Sequence, residues 1–304
     1  MVNRVDFYLG NNILYYSITH QDKFKSANDV KNINNKINEH VYRKPLIKLL
    51  NKTNNENYLF KFEEGDIQKH TDAITLVKNR CEGNENGVIL RCLGFHRHWN
   101  NFYNKLSDIP FDEKMNSAFW RGTTTGEENH IGNRFDLVKK WFKKNDNIDV
   151  GFSFICQNKE AYNNYVLGIC NEDEFLKYKY ILSIRGNDKD SGLQWKLNSN
   201  SLVLMPKPRI VSWLMESLLI PNVHYIELKD DFSDLEEKLI WCNENQHKCK
   251  EIIKNANDFM SQFKNNENEE KIERDVIKRY FDIIGRKKQN IQHSKREWKT
   301  LIFS

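Results

Sequence analysis

From residue 117 onward, short apolar segments alternate with helical segments, and this order limits what the chain can fold into. The predicted strands are 118–120, 148–155, 180–184, 201–205 and 224–228. The predicted helices are 133–144, 174–178, 192–198, 212–219 and 235–245. Strands that alternate with helices favour a parallel sheet with helices on both faces, joined by right-handed crossovers. We therefore predict an α/β fold with a Rossmann-like layer.

The first third of the chain is less regular. A strand is predicted over 5–9 and a helix over 27–50, where apolar residues recur at spacings of three and four. Further short strands are predicted within 58–62, 73–77 and 88–93 because turn residues flank these apolar segments. The length of 304 residues allows one large domain or two of about 150 residues each.

Composition narrows the class of protein. Hydrophobic residues make up 39% and aromatic residues 12%, which is enough for a packed core and excludes wholesale disorder. The formal net charge of +5 is mild for a nucleic-acid binder, so no nucleic-acid partner is predicted. The dense basic stretch near the end is read as a solvated helix face or a frayed tail, and as a candidate for peripheral membrane contact. Its cations are Arg286, Lys287, Lys288, Lys295, Arg296 and Lys299.

Targeting signals and cysteine spacing point to the cytoplasm. The first residues lack the layout of a signal peptide, and no apolar run approaches the roughly 20 residues of a membrane span. The six cysteines are scattered without a Cys-x-x-Cys pair, which predicts free thiols in a reducing compartment.

Three polar segments follow predicted strands, at 121–126, 185–192 and 206–216. Ligands of open α/β sheets bind outside the carboxyl ends of the strands, so the fold would gather these segments at one edge. In the first, Arg121 offers a bidentate fork for phosphate, while Gly122 and Thr123 let backbone N–H groups approach an anion. Arg134 lies in the first turn of the next helix. The alternative is an ordinary strand-to-helix turn.

The second segment mixes cations with small polar residues before a helix, whose N-terminus favours phosphate. Its candidate ligands are Arg185, Gly186, Asn187, Ser191, Gly192 and Lys196. A solvated loop with a helix cap is the alternative. Asp188 and Asp190 also have the Asp-x-Asp spacing that holds a divalent metal in some glycosyltransferases, but the neighbouring Arg185 and Lys189 can neutralise a diphosphate without metal.

A lone glutamate and a pair of histidines are further candidates. Glu216, on an otherwise apolar predicted helix, can accept both hydroxyls of a ribose, or it is an exposed helix position. His96 and His98 alternate on a predicted strand end with no third ligand, which favours packing or an acceptor surface over a metal site. P-loop, dinucleotide-binding and nucleophile-elbow motifs are absent from the sequence.

Several segments, in order and spacing, resemble glycosyltransferase family 90, which includes protein O-glucosyl- and O-xylosyltransferases and lipopolysaccharide-modifying enzymes. They are FWRGTTTG at 119–126, YKYILSIRGN at 178–187, SNSLVLMP at 199–206, VHYI at 223–226 and DFSDLEEK at 231–238, followed by Trp241. Without a secretory leader, the chain resembles the cytosolic bacterial or viral members.

The resemblance implies a GT-B-like fold of two Rossmann-like lobes with an inter-lobe cleft. We expect an acceptor-side lobe at 1–116, a nucleotide-sugar lobe at 117–265 and a helical extension at 266–304 that packs back on the lobes. It also implies an inverting UDP-sugar-dependent transferase that moves xylose or glucose to a glycan, glycolipid or glycoprotein acceptor without a cofactor or metal. Arg121 and Gly122 would line the donor site, and Arg185, Ser191 and Lys196 would contact the diphosphate.

The family's general base is an Asp that follows an N-lobe strand, and Asp66 is the matching residue. The usual proline-bearing segment after this Asp is missing here, and a surface acid in a turn is the alternative. Glu63, Glu64 and Asp108 are the next candidates. Two other functions stay open: a non-catalytic carbohydrate- or protein-binding module derived from a transferase, and a nucleic-acid enzyme that uses the basic tail with Asp188 and Asp190.

Overall fold

The computed structural model describes residues 2–19, 22–33, 38–67, 69–103 and 107–302, with side chains, Asn101 apart, as far as residue 285. The chain divides into two compact units. Unit 1 comprises Met1–Arg97, Val211–Trp213 and Asn265–Ser304, and unit 2 comprises His98–Ile210 and Leu214–Lys264. The lobe limits expected at 116/117 and 265/266 stay predictions.

Both units are built from helices and short strands. In chain order, the α-helices are α1 Arg4–Leu9, α2 Ala27–Lys31, α3 Lys44–Lys52, α4 Arg134–Trp141, α5 Glu172–Phe175, α6 Leu193–Leu197, α7 Leu235–Glu244, α8 Gln246–Ser261 and α9 Asn266–Ile302. The strands are β1 Lys61–Phe62, β2 Thr75–Val77, β3 Arg80–Cys81, β4 Val88–Ile89, β5 Met115–Gly122, β6 Ile148–Phe152, β7 Tyr178–Leu182, β8 Leu202–Pro206, β9 Ile210–Val211 and β10 Ile226–Leu228. Short 3₁₀ turns cover Asn11–Ile13, Arg91–Leu93, Asn101–Tyr103, Phe111–Glu113, Glu160–Tyr165 and Glu216–Leu218, and π-helical turns cover Glu39–Arg43 and Phe95–Trp99.

Unit 2 is built on a five-stranded parallel sheet in the order β10-β8-β7-β5-β6. Alternation along β5 sends Trp120 into the larger apolar cluster, which includes Phe135 of α4, and Phe119 into a smaller cluster with Trp195 of α6. Both faces of the sheet are therefore covered by helices, as parallel sheets require. This confirms the predicted α/β class, while the GT-B arrangement stays a prediction.

Unit 1 has a small parallel sheet, β1-β2-β4, together with α1, α2, α3 and α9. Tyr8 of α1 stacks on Trp213 with ring centroids 3.7 Å apart. The fully buried Glu269 of α9 accepts hydrogen bonds from Arg4 at 2.6 and 2.7 Å and from Trp213 Nε1 at 2.5 Å. Segments from both sides of unit 2 along the chain thus share one core.

Four local predictions are wrong. His96 and His98 lie in the π-helical turn Phe95–Trp99 and not at the end of a strand. The strand at 5–9 is helix α1, because Asn3 caps the N–H groups of Val5 and Asp6. The helix at 212–219 is only a 3₁₀ turn, since Met215 has φ of +59° and interrupts the helical backbone. The single helix at 27–50 is α2 and α3 with the π-helical turn between them, and Ile37 lies outside the described residues.

The structure also bears on the predicted free thiols and on the predicted contact with membranes. All six cysteines are free thiols, as predicted. No helix in the described part of the chain is both long and apolar enough to cross a membrane. The basic side chains from Arg286 onward lie outside the described side chains, so the proposed membrane contact stays a prediction.

Candidate functional site

The strand order of unit 2 indicates where a ligand would bind. Numbered along the chain, the five strands run 2-1-3-4-5, the flavodoxin-like order, which reverses between β5 and β7. Ligands of such sheets bind at this switch point, outside the carboxyl ends of the strands. The loops that follow β5 and β7 are the first two segments predicted to bind an anion.

A cavity of about 440 Å³, including its open mouth, lies at the carboxyl ends of β7 and β8. It is lined by Ile131, Gly132, Ser183, Arg185, Lys189, Asp190, Leu193, Met205, Pro206, Lys207, Pro208, Arg209, Ile210 and Glu216. Four of these residues are cations and two are carboxylates, so the lining carries formal charge +2. The lining of this cavity, within unit 2, therefore has an excess of cationic side chains.

Arg134 joins the two loops. Its guanidinium is buried and donates to the carbonyl oxygens of Thr123 at 2.9 Å and Arg185 at 3.1 Å, and to Thr125 Oγ1 at 2.6 Å. Burial lowers its pKa, against the opposing effect of Asp190 and Asp188. In this structure Arg134 therefore holds the two loops together through backbone and side-chain oxygens, and its predicted role as a phosphate ligand stays a prediction.

Glycines allow the same two loops to approach closely. Gly126 has φ of +96°, and a Cβ there would lie 2.8 Å from the carbonyl oxygen of Gly186. A Cβ at Gly186 would lie 2.6 Å from Thr125 Oγ1. The N–H of Gly126 donates to Asn187 Oδ1 at 2.9 Å. Gly186 and Asn187, predicted as ligands, hold one loop against the other.

Asp190 forms part of the cavity wall and is held by a buried network. It accepts hydrogen bonds from Lys196 Nζ at 2.5 Å, Ser183 Oγ at 2.8 Å and the N–H of Gly192 at 2.9 Å. Burial raises the pKa of Asp190, but Lys196, the N–H of Gly192 and Arg134 together outweigh burial and hold the pKa below its ordinary value. Lys196 therefore orients Asp190, and the described residues that line the cavity include neither Lys196, Gly192 nor the exposed Ser191.

Lys189 and Glu216 form a second buried pair at the cavity. Their charged atoms are 2.9 Å apart, and the side chains are 4% and 1% exposed. Glu216 was predicted to accept ribose hydroxyls, and its carboxylate does face a cavity, although one oxygen is held by Lys189. The sequence placed Lys189 near a diphosphate but did not reveal this pairing.

Arg121 lines a different cavity, of about 850 Å³ including its open mouth. It donates to Asp149 Oδ1 at 2.7 Å and to the Asp149 carbonyl oxygen at 3.1 Å, because strand alternation turns it to the face of Phe119. Gly122 lies against the ring of Trp120, and the carbonyl of Thr123 is taken by Arg134. A donor-site role for Arg121, Gly122 and Thr123 stays a prediction.

Asp66, the predicted general base, lies in unit 1 between β1 and β2. Its carboxylate forms an ion pair with the buried Lys78. The alternative acids are also paired, Glu63 with Lys69 at 3.1 Å and Glu64 with Arg43 at 3.5 Å. Asp108 pairs with Lys114 and accepts the N–H of Asn200, which gives it a structural role.

Sequence reasoning missed two features of unit 2. His98 Nε2 lies 3.6 Å from Asp188 Oδ2, with both side chains buried, and Arg209 lines the first cavity while it pairs with Asp230 at 2.8 Å. Asp188 and Asp190 have the Asp-x-Asp spacing of a metal site, but in the structure they have different partners, His98 and Lys196 respectively. Across the described residues no cluster of three or more His, Cys, Asp or Glu side chains is placed to hold a metal.

Comparison with known proteins identifies the family. The model for glycosyl transferase family 90 matches residues 95–296. O-glucosyltransferase LpsA of Dichelobacter nodosus is 35% identical over 227 residues, which cover 74% of this chain and 67% of LpsA. Protein O-glucosyltransferase 2 of Danio rerio is 29% identical over 47% of this chain and 28% of its own length. Uncharacterized protein 179R of invertebrate iridescent virus 6 is 39% identical over 29% of this chain and 8% of its own.

The match with the family model covers all of unit 2 and continues into α9, so it includes both loops at the switch point and the cavity at the ends of β7 and β8. The α/β fold and the position of the cavity agree with transfer of a glycosyl group from a sugar donor. On the family match and the similarity to LpsA together, the chain belongs to glycosyltransferase family 90.

Proposed function

We propose that this chain is an inverting, UDP-sugar-dependent transferase that moves glucose or xylose to a hydroxyl of a glycan, glycolipid or glycoprotein acceptor. The names of two relatives, O-glucosyltransferase LpsA and protein O-glucosyltransferase 2, support glucose as the first donor sugar to test. The free thiols support a cytoplasmic location.

The single observation that carries the proposal is the cationic cavity of unit 2, at the carboxyl ends of β7 and β8 next to the switch point of the sheet. Arg185, Lys207 and Arg209 bring positive charge to the ends of β7 and β8. A UDP leaving group develops negative charge as the glycosidic bond breaks, and pre-positioned cations stabilise that charge in the transition state. Because these side chains supply the charge, we propose that neither a metal nor another cofactor is required.

The proposed chemistry needs one carboxylate. Asp66 would accept the proton of the acceptor hydroxyl while that oxygen attacks the anomeric carbon. The bond between this carbon and the UDP oxygen breaks on the opposite side, so the anomeric configuration inverts. UDP leaves with the bonding electron pair.

Titration of UDP into the purified chain by calorimetry tests the donor site. Arg185→Ala should weaken UDP binding at least about tenfold, because a hydrogen bond to a charged group contributes about 1.5–3 kcal/mol. Arg185→Lys should recover part of the affinity, since it keeps the charge but loses the bidentate fork. Lys254→Ala, which removes an exposed cation of α8, is the matched control and should bind UDP normally.

Unchanged UDP affinity in Arg185→Ala would show that the cavity of unit 2 is not the donor site. In the same assay, unchanged affinity in Arg121→Ala would exclude Arg121 from it. Slow hydrolysis of UDP-glucose or UDP-xylose by the wild-type chain would separate an enzyme from a non-catalytic binding module, and the preferred donor would identify the sugar.

A further inference from the structure

Unit 1 contains a cavity of its own, of about 1150 Å³ including its open mouth. One wall is α3, where Lys44, Lys48 and Lys52 are spaced by four residues and so lie on one face of the helix. Further cations, Arg91 and Arg274, come from a 3₁₀ turn and from α9. His40, Pro45, Leu49, Cys92, Phe95, His96, Asn266, Glu270 and Glu273 complete the lining.

The lining is positive, because five cations face two carboxylates, and of the cations Lys44 also pairs with Glu39 outside the lining at 3.1 Å. One carboxylate, Glu270, lies 3.3 Å from Lys52 and 3.5 Å from Arg274. The other, Glu273, is buried and accepts the N–H of Cys92 at 2.6 Å. Burial raises the pKa of Glu273 despite the neighbouring Arg91. This carboxyl group therefore offsets less of the positive charge of the lining. An anion entering this cavity would meet an excess of positive charge.

Part of the cavity is apolar. The guanidinium of Arg91 lies 4.9 Å from the ring centroid of Phe95, and Pro45 and Leu49 add aliphatic surface. Apolar walls with a few directed polar groups are typical of small-molecule sites. The apolar face of a sugar ring fits such a wall, while lysines and arginines at the rim would bind an anionic substituent.

We propose that this cavity binds a phosphorylated sugar and, resting on the proposed function, that the acceptor of the transfer is a phosphate-bearing glycan. A phosphate monoester is favoured over a carboxylate because it carries nearly two charges and three acceptor oxygens, which match several cations at once. Lys48 is the residue to test first. It is exposed, lies at the centre of the lysine row, and has no ion pair with a described residue.

Calorimetric titration of the full chain with glucose 6-phosphate, in saturating UDP, tests the binding. Glucose and glucuronate are the uncharged and singly charged comparison ligands, and both should bind at least about tenfold more weakly. Lys48→Glu should weaken glucose 6-phosphate binding by at least about tenfold. Lys31→Glu makes the same charge change on α2 of the same unit, outside the cavity, and should leave the affinity unchanged.

Absence of glucose 6-phosphate binding, or an equal loss in Lys31→Glu and Lys48→Glu, would overturn the proposal. Arg185→Ala should retain glucose 6-phosphate affinity, and loss in that variant would mean that the ligand occupies the cavity of unit 2. If glucose 6-phosphate binds but UDP does not, the unit 1 site stands and the donor proposal fails. With UDP-glucose as donor, equal transfer to glucose and glucose 6-phosphate would refute the phosphate-bearing acceptor alone.

Discussion

At the scale of single residues, a substitution of Asp66, which forms an ion pair with Lys78, tests the proposed general base. Asp66→Asn keeps the size and polarity of the side chain but removes the proton acceptor. We expect UDP affinity to stay unchanged and sugar transfer to fall by at least about 10²-fold, the usual contribution of a general base. Transfer measured with radiolabelled UDP-glucose distinguishes these effects, and retained transfer would move the general base to another acid such as Glu63 or Glu64.

Asp190 is expected to make the stability of the folded chain depend on pH. Its pKa lies below the ordinary 3.8 in the folded chain, so folding favours its charged form. This stabilisation is fully present above pH 3.8 and is lost as the pH falls through the folded value. Urea unfolding at a series of pH values should show a smaller acid-side loss of stability in Asp190→Asn than in the wild type. Identical slopes would mean that Asp190 is equally acidic in the unfolded chain.

At the scale of elements, the loop after β5 depends on Gly126. Gly126→Ala should lower the free energy of unfolding by about 1–3 kcal/mol, because the positive φ and the carbonyl of Gly186 both oppose a Cβ. Gly285→Ala is the contrasting control, since a Cβ there meets no atom within 4 Å and the residue lies in α9. That variant should gain up to about 1 kcal/mol of helix stability. Thermal unfolding of both variants measures these changes in stability. A Gly126→Ala variant as stable as the wild type would contradict the close packing of the two loops.

The same scale shows how much the sequence could predict. The sequence pattern predicts the five strands of the main sheet and the helices of unit 2 up to α7, because each buried strand must be continuous and each helix must have one apolar face. It does not predict α8, Gln246–Ser261. Elsewhere the failures are local: Asn3 starts a helix where the pattern predicts a strand, and Met215 interrupts a predicted helix. At the site, the polar loops were found, but the partners of Arg134 and Lys196 are backbone carbonyls and a buried carboxylate. Sequence spacing cannot reveal such partners, since they come together only in the folded chain.

At the scale of the whole molecule, Glu269 tests how α9 contributes to unit 1. Glu269→Ala would leave the Arg4 guanidinium without its carboxylate, and loss of one partner of a buried ion pair costs about 3–5 kcal/mol. The control is Glu267→Ala, an exposed position in the first turn of α9, which should change stability by less than about 0.5 kcal/mol. Scanning calorimetry measures the loss of stability, and equal unfolding temperatures of the two variants would contradict this role of α9.

The composition of unit 1 has a consequence for synthesis of the protein. Its segments 1–97 and 265–304 are separated along the chain by the whole of unit 2. During translation, residues 98–264 therefore leave the ribosome while unit 1 still lacks α9 and the buried carboxylate that binds Arg4. Domains fold as units when their residues are available. Residues 1–97 must consequently wait for residues 265–304, so unit 2 can complete its core before unit 1 does.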